Sequence, residues 1–324
     1  MLKHASAPSF GIRAPLLERL LFAPLITLLP WLIGQWLRDR WWLSGLCFYI
    51  PSPVLCAALL LSAPLLWRKG RRRVAAAALL ASLLPALVIV SLENRWGALP
   101  VDPTVDPTAR AIPSELTLVH WNVFRGWLGW DRVQQRLAEH PADIYVLSEL
   151  PESLGAQRVA AFGDGFSLIR HSTLGIGCRG FVEGRSERPP SADIGLLYAV
   201  CQVGDQHVSI LAADLPASPW IARGPRLREV KRWVEHYRPD ITVGDFNAPR
   251  RSLELSNLSP GYAHAYAVAG RGWSYTWPEP LPVLAIDQCI LGPGVRAEHY
   301  RIHTSWLSDH RLQSLRFTLA QNRG

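Results

Sequence analysis

The sequence is poor in cysteine: it has five, and none of them lie in the C-x-x-C spacing of a zinc ribbon or a redox motif. Cys47 and Cys56 fall in hydrophobic stretches, where a free cysteine behaves as a small apolar residue. Cys178, Cys201 and Cys289 are scattered through the rest of the chain, so the sequence allows one disulfide among them but does not require it. The pattern excludes the disulfide framework of a small secreted domain.

Net charge is also absent from the larger part of the chain. Residues 1–110 hold 12 Lys and Arg against 5 Asp and Glu, whereas the remaining residues hold 22 against 21. The total of +8 therefore belongs mostly to the N-terminal part. Because nonspecific binding of duplex DNA depends on neutralising many phosphates, the nearly neutral C-terminal part disfavours that function.

The N-terminal part has three long hydrophobic stretches, at Leu20–Leu37, Trp41–Trp67 and Val74–Leu92. A helix that spans a bilayer needs about 20 apolar residues, and prolines are tolerated within it. Tryptophans concentrate near the ends of these stretches, as they do at a membrane interface. We therefore predict three transmembrane helices, and the alternative is a buried bundle of soluble helices. A cleaved signal peptide is disfavoured because the first stretch lacks a small-x-small exit.

The loops between the stretches predict their orientation. The second loop carries the larger basic group, which comprises Arg68, Lys69, Arg71, Arg72 and Arg73. The first loop offers only Arg38 and Arg40, beside Asp39. The positive-inside rule places the more basic loop in the cytoplasm. The chain is then predicted to be a multi-pass protein of the inner membrane, with its C-terminal domain in the periplasm or outside the cell.

A proline-rich segment separates the two parts of the chain. It contains the tetrapeptide Val-Asp-Pro-Thr twice, at 101–104 and 105–108. Proline-rich segments are extended, semi-rigid spacers. We therefore predict a membrane domain at 1–95, a linker at 96–115 and a soluble domain at 116–324.

The predicted soluble domain alternates short apolar runs with helical patterns. Helices are predicted at Asp131–His140 and Leu227–Tyr237. Strands are predicted at Leu116–Trp121, Asp143–Ser148, Phe166–Arg170, Ile194–Val200, Val208–Ala213, Ile241–Val243, Leu284–Leu291, Arg296–Ile302 and Leu312–Leu319. Apolar runs between helices indicate sheets covered by helices, which by itself gives only a mixed α and β class.

Acidic, amide and imidazole side chains stand at or near the ends of several of these runs. They are Asn122, Glu149, Asp245, Asn247, Asp287, Asp309 and His310. Active sites are usually built on loops at the ends of strands, because a rigid sheet holds such loops in place. Any one of these residues alone is more readily explained as a turn or cap residue, but the set in this order is harder to explain that way.

The order of these residues resembles the endonuclease/exonuclease/phosphatase superfamily, the group of deoxyribonuclease I, from about Leu116 to Leu319. The motifs that carry the resemblance are Trp121-Asn122-Val123, Ser148-Glu149, Gly244-Asp245-Phe246-Asn247, Tyr275-Thr276-Trp277 before Ile286-Asp287, and Ser308-Asp309-His310. The resemblance implies a four-layer α/β sandwich, in which two packed mixed sheets are covered by helices. It also implies metal-dependent hydrolysis of a phosphoester, more often a diester.

The metal site that the resemblance implies is built from oxygen ligands. Glu149 would be the principal carboxylate ligand of magnesium or manganese, with Asn122 and Asp309 beside the ion. Hard oxygen ligands and several waters suit Mg²⁺. On general grounds, a phosphodiester is anionic, so a cation must offset the charge on its non-bridging oxygens.

The same resemblance implies four catalytic residues. Asp245 would orient and deprotonate the attacking water, and Asn247 would hold Asp245 or a phosphate oxygen. His310 would contact the phosphoryl oxygens, and Asp287 would orient it. Apart from the family, hydrolysis requires a carboxylate close enough to take the proton of the water.

The sequence departs from the family at two positions. Asp214 follows the run Val208–Ala213, where the family has a His or sometimes a Tyr. It could bind a second metal ion, stay protonated as a donor, or mark a weakened enzyme. Arg223 and Arg226 are candidates to bind the substrate and supply the lost positive charge, the alternative being a solvated helix face. Phe124 stands where some nucleases of the family place an Asp.

Two other patterns are disfavoured. Residues 175–180 match G-x-G-x-x-G, but no helix is predicted to open there, so a dinucleotide site is not supported. His299 and His303 are four residues apart on a predicted strand, so the helical spacing of a zinc site does not apply to them.

The substrate class is predicted from charge and from the membrane segments. Both favour a phosphodiester in a lipid or a small molecule, with the lipid bilayer as the environment and no protein partner evident. A nuclease acting on DNA or RNA is one alternative. The other is a degenerate domain that binds without catalysis, which Asp214 motivates.

Overall fold

The structure is a computed structural model that describes residues 14–97, 115–151, 165–185 and 193–320. Residues 14–93 are mostly helical, and the described residues from 115 onward form strands and helices. Most of the predicted linker, residues 98–114, lies outside the described ranges. The division into domains at 1–95, 96–115 and 116–324 therefore stays a prediction.

Four helices make up the N-terminal part, which we call the helical block. They are α1 (Ala14–Leu37), α2 (Trp42–Phe48), α3 (Ser52–Arg68) and α4 (Arg72–Val88), and α4 continues into a π-helical turn at Ile89–Glu93. The segments Arg19–Leu37 and Arg72–Glu93 are each long and apolar enough to cross a membrane. A third such segment exists only if α2 and α3 together form one span.

The second predicted span, Trp41–Trp67, is not one continuous helix. Its two pieces, α2 and α3, are bent by 56° relative to each other. Pro51 stands at the break, directly before α3, with an extended backbone at φ −70° and ψ 124°. A proline lacks an amide hydrogen and disfavours helical backbone in the residue before it. We expected the prolines of this stretch to be tolerated within one helix, and instead the first of them separates two helices.

The helical block exposes large apolar side chains on its outer faces. Trp31 and Leu59 pack in its interior, whereas Leu61 is 69% and Leu80 is 68% exposed. A soluble surface helix keeps a polar face toward water, and a helix that is apolar on all faces is typical of a membrane segment. The pattern therefore fits membrane association.

The rest of the described chain forms twelve strands and four helices, which we call the sandwich. The strands are β1 (Leu116–Asn122), β2 (Ile144–Ser148), β3 (Phe166–His171), β4 (Leu174–Arg179), β5 (Phe181–Arg185), β6 (Gly195–Val203), β7 (Gln206–Asp214), β8 (Ile241–Asp245), β9 (Ala263–His264), β10 (Asp287–Leu291), β11 (Val295–His303) and β12 (Leu312–Leu319). The helices are α5 (Trp130–Ala138), α6 (Arg223–Tyr237), α7 (Leu253–Ser256) and α8 (Ala265–Ala269).

The strands form two mixed sheets of six strands each. Their orders are β11-β12-β1-β2-β4-β3 and β5-β6-β7-β8-β10-β9. Each sheet contains one parallel pair, β1 with β2 and β7 with β8, and each pair is joined through a helix, α5 or α6. A parallel pair needs such a crossover because its strands run in the same direction.

The apolar core lies between the two sheets, and a helix covers each outer face. Ile176 and Ile210 belong to the buried cluster between the sheets. Val133 of α5 packs on the outside of the first sheet, and Val230 of α6 packs on the outside of the second. The predicted four-layer α/β sandwich is confirmed.

Three strands, β4, β5 and β9, were not predicted. β4 contains most of the G-x-G-x-x-G match and pairs with β2 and β3, so no helix opens at the glycines. Gly175 serves packing instead, because an added Cβ would lie 2.4 Å from the Cδ1 of Leu150. Cys178, Cys201 and Cys289 are buried free thiols, so no disulfide joins them.

The helical block is attached to one end of the sandwich by polar contacts. Asp39, just after α1, accepts a hydrogen bond from the backbone N–H of Leu253 at 2.8 Å. Ser274 donates its N–H to the Asn94 side chain at 2.7 Å and its hydroxyl to the Glu93 carbonyl at 2.8 Å. The C-terminal ends of α1 and α4 therefore reach the same end of the sandwich.

Candidate active site

The two parallel strand pairs place four of the predicted residues at this end of the sandwich. Asn122 at the end of β1 lies in register with the end of β2, and Glu149 is the next residue after β2. Asp214 at the end of β7 lies in register with Asp245 at the end of β8. The Nδ2 of Asn122 donates to the Oδ2 of Asp245 at 3.0 Å, so the two edges meet face to face.

The antiparallel neighbours of these pairs supply two more residues. Asp287 is the first residue of β10 and lies opposite Asp245. The predicted strand Leu284–Leu291 begins only at Asp287, because Leu284 pairs with Trp277 in the preceding loop. His310 lies just before β12, the antiparallel partner of β1. Six predicted residues from separate chain segments thus converge at one place.

Gly244 is the residue directly before Asp245, and it allows β8 to lie close to β7. Its φ is +155°, and an added Cβ would lie 1.9 Å from the carbonyl oxygen of Ala213. A side chain at this position would push apart the two strands that carry Asp214 and Asp245. The glycine of the Gly-Asp-Phe-Asn motif is therefore required by the backbone.

His310 lies between two buried carboxylates. Its Nδ1 is 2.9 Å from the Oδ2 of Asp287, and its Nε2 is 3.7 Å from the Oδ2 of Asp245. Burial alone would lower the pKa of His310, but the charges of Asp287 and Asp245 outweigh burial and raise the pKa to about 10. The imidazole is therefore positively charged at neutral pH and can donate from Nε2 to an anionic oxygen.

The two carboxylates beside His310 differ in their affinity for a proton. Burial and the charge of Asp287 hold the pKa of Asp245 well above its usual range. Burial also acts on Asp287, but the charge and hydrogen bond of His310 outweigh it and lower the pKa of Asp287. Of the two, Asp245 therefore holds a proton more readily and is the better proton acceptor, and Asp287 is the better counter-ion.

The ligand atoms of Asp245, Asp287 and His310 all lie within 4.8 Å of one another. By distance alone, the three groups could share a metal ion. A protonated imidazole, however, has no lone pair to offer a cation. The carboxylate oxygens at this end of the sandwich are therefore the donors that fit a hard divalent ion.

Asn122 connects the carboxylates of the two sheets. Its Nδ2 donates to the Oε1 of Glu149 at 3.1 Å as well as to Asp245, and its Oδ1 accepts the N–H of Phe124 at 3.0 Å. The bond from Phe124 sets the orientation of the amide. Glu149 has a left-handed backbone, with φ at +54°, which is uncommon outside glycine. Such conformations cluster at functional sites.

Asn247 organises the loop that follows β8. Its N–H donates to the Oδ1 of Asp245 and its side-chain amide to the Leu215 carbonyl, both at 2.8 Å. Its own carbonyl accepts from the Tyr49 hydroxyl at 2.7 Å and from the Arg223 Nε at 2.9 Å. Asp245 is thus held by the backbone of Asn247, and the amide of Asn247 is used to fix the loop.

Asp214 borders the cluster on the side of the second sheet. Thr173, in the turn between β3 and β4, donates its hydroxyl to Asp214 at 3.2 Å. Burial, followed by the charge of Glu149, raises the pKa of Asp214 to about 7. Asp214 therefore holds a proton more readily than an ordinary carboxyl does.

Asp309 borders the cluster on the side of the first sheet. Its Oδ2 accepts the indole N–H of Trp277 at 3.0 Å, and its Oδ1 lies 4.0 Å from the Nε2 of His310. Ser308 fastens this loop, since its hydroxyl donates to the Asn122 carbonyl at 2.7 Å and accepts the His310 N–H at 3.0 Å. The side chain of Asp309 is partly open to solvent, at 35% exposed.

The two predicted substrate-binding arginines do not join the carboxylate cluster. Arg226 forms an ion pair with Asp193 at 2.6 Å. Arg223 is buried at the start of α6 and donates to the carbonyl of Asn247, whereas Asp245 is bonded to the N–H of that residue. Their role in substrate binding stays a prediction.

Tyr49 and Thr173 contact the site residues and were not found from the sequence. Thr173 stands in an ordinary turn, with no pattern that points to Asp214. Tyr49 is 198 residues away from Asn247 along the chain. No local sequence signal can reveal a contact at that separation.

Comparisons with known proteins find one matching family and several similar solved structures. A family model described as Endonuclease/Exonuclease/phosphatase family matches residues 119–310. Among solved structures, a humanized TDP2 of D. rerio is 20% identical, covers 63% of this chain and 99% of its own, and has a TM-score of 0.49. The 3′ phosphatase NExo from Neisseria, bound to a product DNA hairpin, is 19% identical with coverages of 62% and 98% and a TM-score of 0.48. No curated protein matches the chain.

Proposed function

The chain belongs to the endonuclease/exonuclease/phosphatase family, whose members are phosphoester hydrolases, and we propose that its sandwich is a divalent-metal-dependent phosphodiesterase anchored in a membrane by the helical block. The observation that carries the proposal is the convergence of Asp245, Asp287 and His310 with Asn122 and Glu149. A charged imidazole beside a carboxylate of raised proton affinity suits hydrolysis of an anionic ester.

The proposed metal site lies on the side of Glu149. Glu149 would ligate Mg²⁺ or Mn²⁺, with Asp309 beside the ion and Asn122 positioning the Glu149 carboxylate through its 3.1 Å bond. When bound, the ion offsets negative charge on the phosphoryl oxygens. The carboxylates outnumber the single imidazolium at this place, so a divalent cation would relieve their mutual repulsion.

The protein's own residues would divide the remaining chemistry. Asp245, held by the N–H of Asn247, takes a proton from water as the water oxygen forms a bond to phosphorus. His310 donates from Nε2 to a non-bridging oxygen, while Asp287 keeps the imidazole charged and oriented. The bond to the leaving oxygen breaks as this oxygen is protonated. Asp214 stands at the place for such a donor, or it binds a second cation.

The position of the helical block supports a membrane anchor. Its apolar outer faces suit a lipid environment, and the basic residues of 68–73 lie where α3 ends and α4 begins, at the opposite end of α4 from the contacts of Glu93 and Asn94 with the sandwich. This arrangement puts the sandwich in the periplasm or outside the cell if the basic loop is cytoplasmic. A fusion of alkaline phosphatase to the C-terminus should then be active, and an inactive fusion with a fluorescent cytoplasmic reporter would contradict the orientation.

The proposed substrate is a phosphodiester in a lipid or a small molecule. The near-neutral charge of the chain after residue 110 and the membrane anchor support this class. DNA or RNA is the second candidate, because the family also includes nucleases. A panel of phospholipids, single-stranded and duplex DNA, and RNA separates these classes by turnover at matched phosphodiester concentration.

A generic diester tests whether the chain is a catalyst at all. The full chain, purified in detergent, should hydrolyse bis(4-nitrophenyl) phosphate in the presence of Mg²⁺ or Mn²⁺ and lose this activity with EDTA. The variant Asp245→Asn serves as the matched inactive control for contaminating hydrolases. Equal turnover by the wild type and this variant would support a binding domain without catalysis.

A further inference from the structure

A crevice of about 260 Å³ lies between α2 of the helical block and the start of α6 in the sandwich. Its walls include Arg40, Trp41, Trp42, Tyr49, Arg223 and Gly224. The crevice borders the catalytic loop, because Tyr49 and Arg223 both donate to the carbonyl of Asn247. Its lining includes none of the carboxylates of the active-site cluster.

Arg223 brings an unused donor to this crevice. The residue is only 6% exposed, and its Nε is bonded to Asn247. Its Nη1 is buried and has no hydrogen-bond partner among the described residues. A buried charged donor without an acceptor is costly, so this Nη1 calls for an acceptor beyond those that the described residues supply.

The first turn of α6 adds a second positive element to the same wall. Its N-cap residue, Ala222, has no side chain that can accept a hydrogen bond, and no acidic residue stands in the first turn. The free N–H groups at a helix N-terminus carry a partial positive charge and favour anions. The helix α6 has 15 residues, and both its N-terminus and the Arg223 guanidinium favour an anionic ligand.

The acidic residues of the crevice are already engaged. Asp39 accepts from the hydroxyl of Ser252 and the N–H of Leu253. Glu254 pairs with Arg228 at 3.0 Å. Arg40 lies over the ring of Trp41, 5.9 Å from its centroid, and adds charge at the entrance. The crevice is left with an excess of positive charge from its arginines.

We propose that this crevice binds a phosphate anion, and specifically the phosphate of an anionic membrane lipid. Exposed tryptophans surround it: Trp41 is 60% exposed, and Trp42 packs against Trp220, which is 71% exposed. Indole rings of this kind are enriched at the level of lipid headgroups. The choice of a lipid rests on the proposed membrane anchor, whereas the anion site itself does not.

Such a lipid would also steady the catalytic loop. A phosphate on Arg223 would satisfy its free Nη1 and hold its Nε against the Asn247 carbonyl. The N–H of the same Asn247 residue positions Asp245. The proposed site is thus a place where an anionic lipid can support the active site without being hydrolysed.

Binding to the full chain tests the site. The protein is kept in dodecyl maltoside, a detergent without phosphate, and its melting temperature is followed by tryptophan fluorescence during titration. The probes are dihexanoyl phosphatidylglycerol, glycerol phosphate and dihexanoyl glycerol. We expect saturable stabilisation by phosphatidylglycerol, at a Kd about 10-fold or more below that of glycerol phosphate, and none by the uncharged diglyceride.

Variants tie the binding to the crevice. Arg223→Gln should weaken phosphatidylglycerol binding about 10-fold or more, and Arg40→Gln should weaken it less, since Arg40 is exposed. Arg232→Gln, on the same helix but paired with Glu229, is the matched control and should bind normally. Unchanged binding by Arg223→Gln would overturn the site; should that variant not fold, unchanged binding by Arg40→Gln would do so. Equal affinity for glycerol phosphate would overturn the lipid assignment.

Because the readout is binding rather than turnover, failure of this proposal leaves the proposed hydrolase untouched. Failure of the hydrolase proposal would likewise leave the anion site standing.

Discussion

Two strand pairs of the same topology end differently at the candidate active site. The parallel pair β1 and β2 ends with Asn122 and leads into Glu149, an amide beside a carboxylate. The parallel pair β7 and β8 ends with Asp214 and Asp245, two carboxylates in register. The same unit, a parallel strand pair joined by a covering helix, thus produces two edges with different side-chain chemistry.

The two edges differ in the groups that surround their carboxylates. On the first edge, Asn122 donates to Glu149, so this carboxylate has a neutral hydrogen-bonding neighbour, and its oxygens suit a cation. On the second edge, burial and nearby acids raise the pKa of Asp214 to about 7 and that of Asp245 well above its usual range. We therefore expect Glu149 on the first edge to bind metal and Asp245 on the second edge to move protons.

The largest effect should come from removing the charge of the first edge. Glu149→Gln is expected to abolish metal-dependent hydrolysis, because the amide is a poor ligand for the ion, while the domain stays folded. Turnover over a range of Mg²⁺ concentrations, with circular dichroism as the check on folding, measures this. Glu235→Gln, which removes a charge from the exposed face of α6, is the matched control. Wild-type activity of Glu149→Gln at limiting Mg²⁺ would remove Glu149 from the metal site.

The second edge should fail in a different way. Asp245→Asn is expected to lower kcat by at least about 10²-fold, the usual scale for losing a general base, while the concentration of Mg²⁺ needed for half-maximal activity changes little. Steady-state kinetics across Mg²⁺ concentrations distinguishes this from the Glu149 variant. A strong shift in metal dependence together with the loss would mean that Asp245 belongs to the metal site, and the two edges would then not differ as proposed.

The contact between His310 and Asp287 should be visible in the pH profile. His310→Ala should cost at least about 10²-fold in kcat, and Asp287→Asn should cost less, because Asp287 acts through His310. The pKa of His310, about 10, lies above its usual value, so the imidazole stays charged at neutral pH and loses its charge as the pH rises through about 10. Asp287→Asn should therefore move the alkaline limb of kcat/KM toward neutral pH. An unmoved limb would contradict the role of Asp287.

The smallest and most diagnostic change is Asp214→His, which restores the residue type usual in the family. If Asp214 binds a cation, this variant should lose activity modestly, by about 10-fold or less, and need more Mg²⁺. We expect this outcome, since an unpaired carboxylate beside a phosphodiester repels it unless a cation or a proton intervenes. Higher kcat at unchanged metal dependence would instead identify Asp214 as a weakened form of the family's donor.

The sequence predicts the strand ends of this site well because they are local patterns. A buried apolar run followed by Gly244-Asp245-Phe246-Asn247 marks both a strand and the acid that follows it. The convergence of these acids follows from the family's topology, which the structure confirms. Their individual roles stay predictions.

Other features could not be predicted because they depend on distant or weakly patterned residues. The strand β5 reads Phe-Val-Glu-Gly-Arg, which lacks an apolar alternation strong enough to mark a strand. Two causes divide the second hydrophobic stretch at Pro51. One is the proline itself, and the other is the contact of α2 with the sandwich, which no local pattern reveals. The Tyr49 contact with Asn247 requires the whole tertiary structure.

The hydrogen bonds of Glu93 and Asn94 to Ser274 affect how the active site reaches its substrate. The chain is already bonded to the sandwich before the predicted linker begins, so the length of the linker does not set how far the active site stands from the helices. If the helical block lies in a bilayer as proposed, the active site stays near the membrane surface and encounters the substrate molecules in that surface. Its rate would then follow the mole fraction of substrate among the surrounding lipids, and adding inert lipid would slow the reaction even with the total amount of substrate held constant.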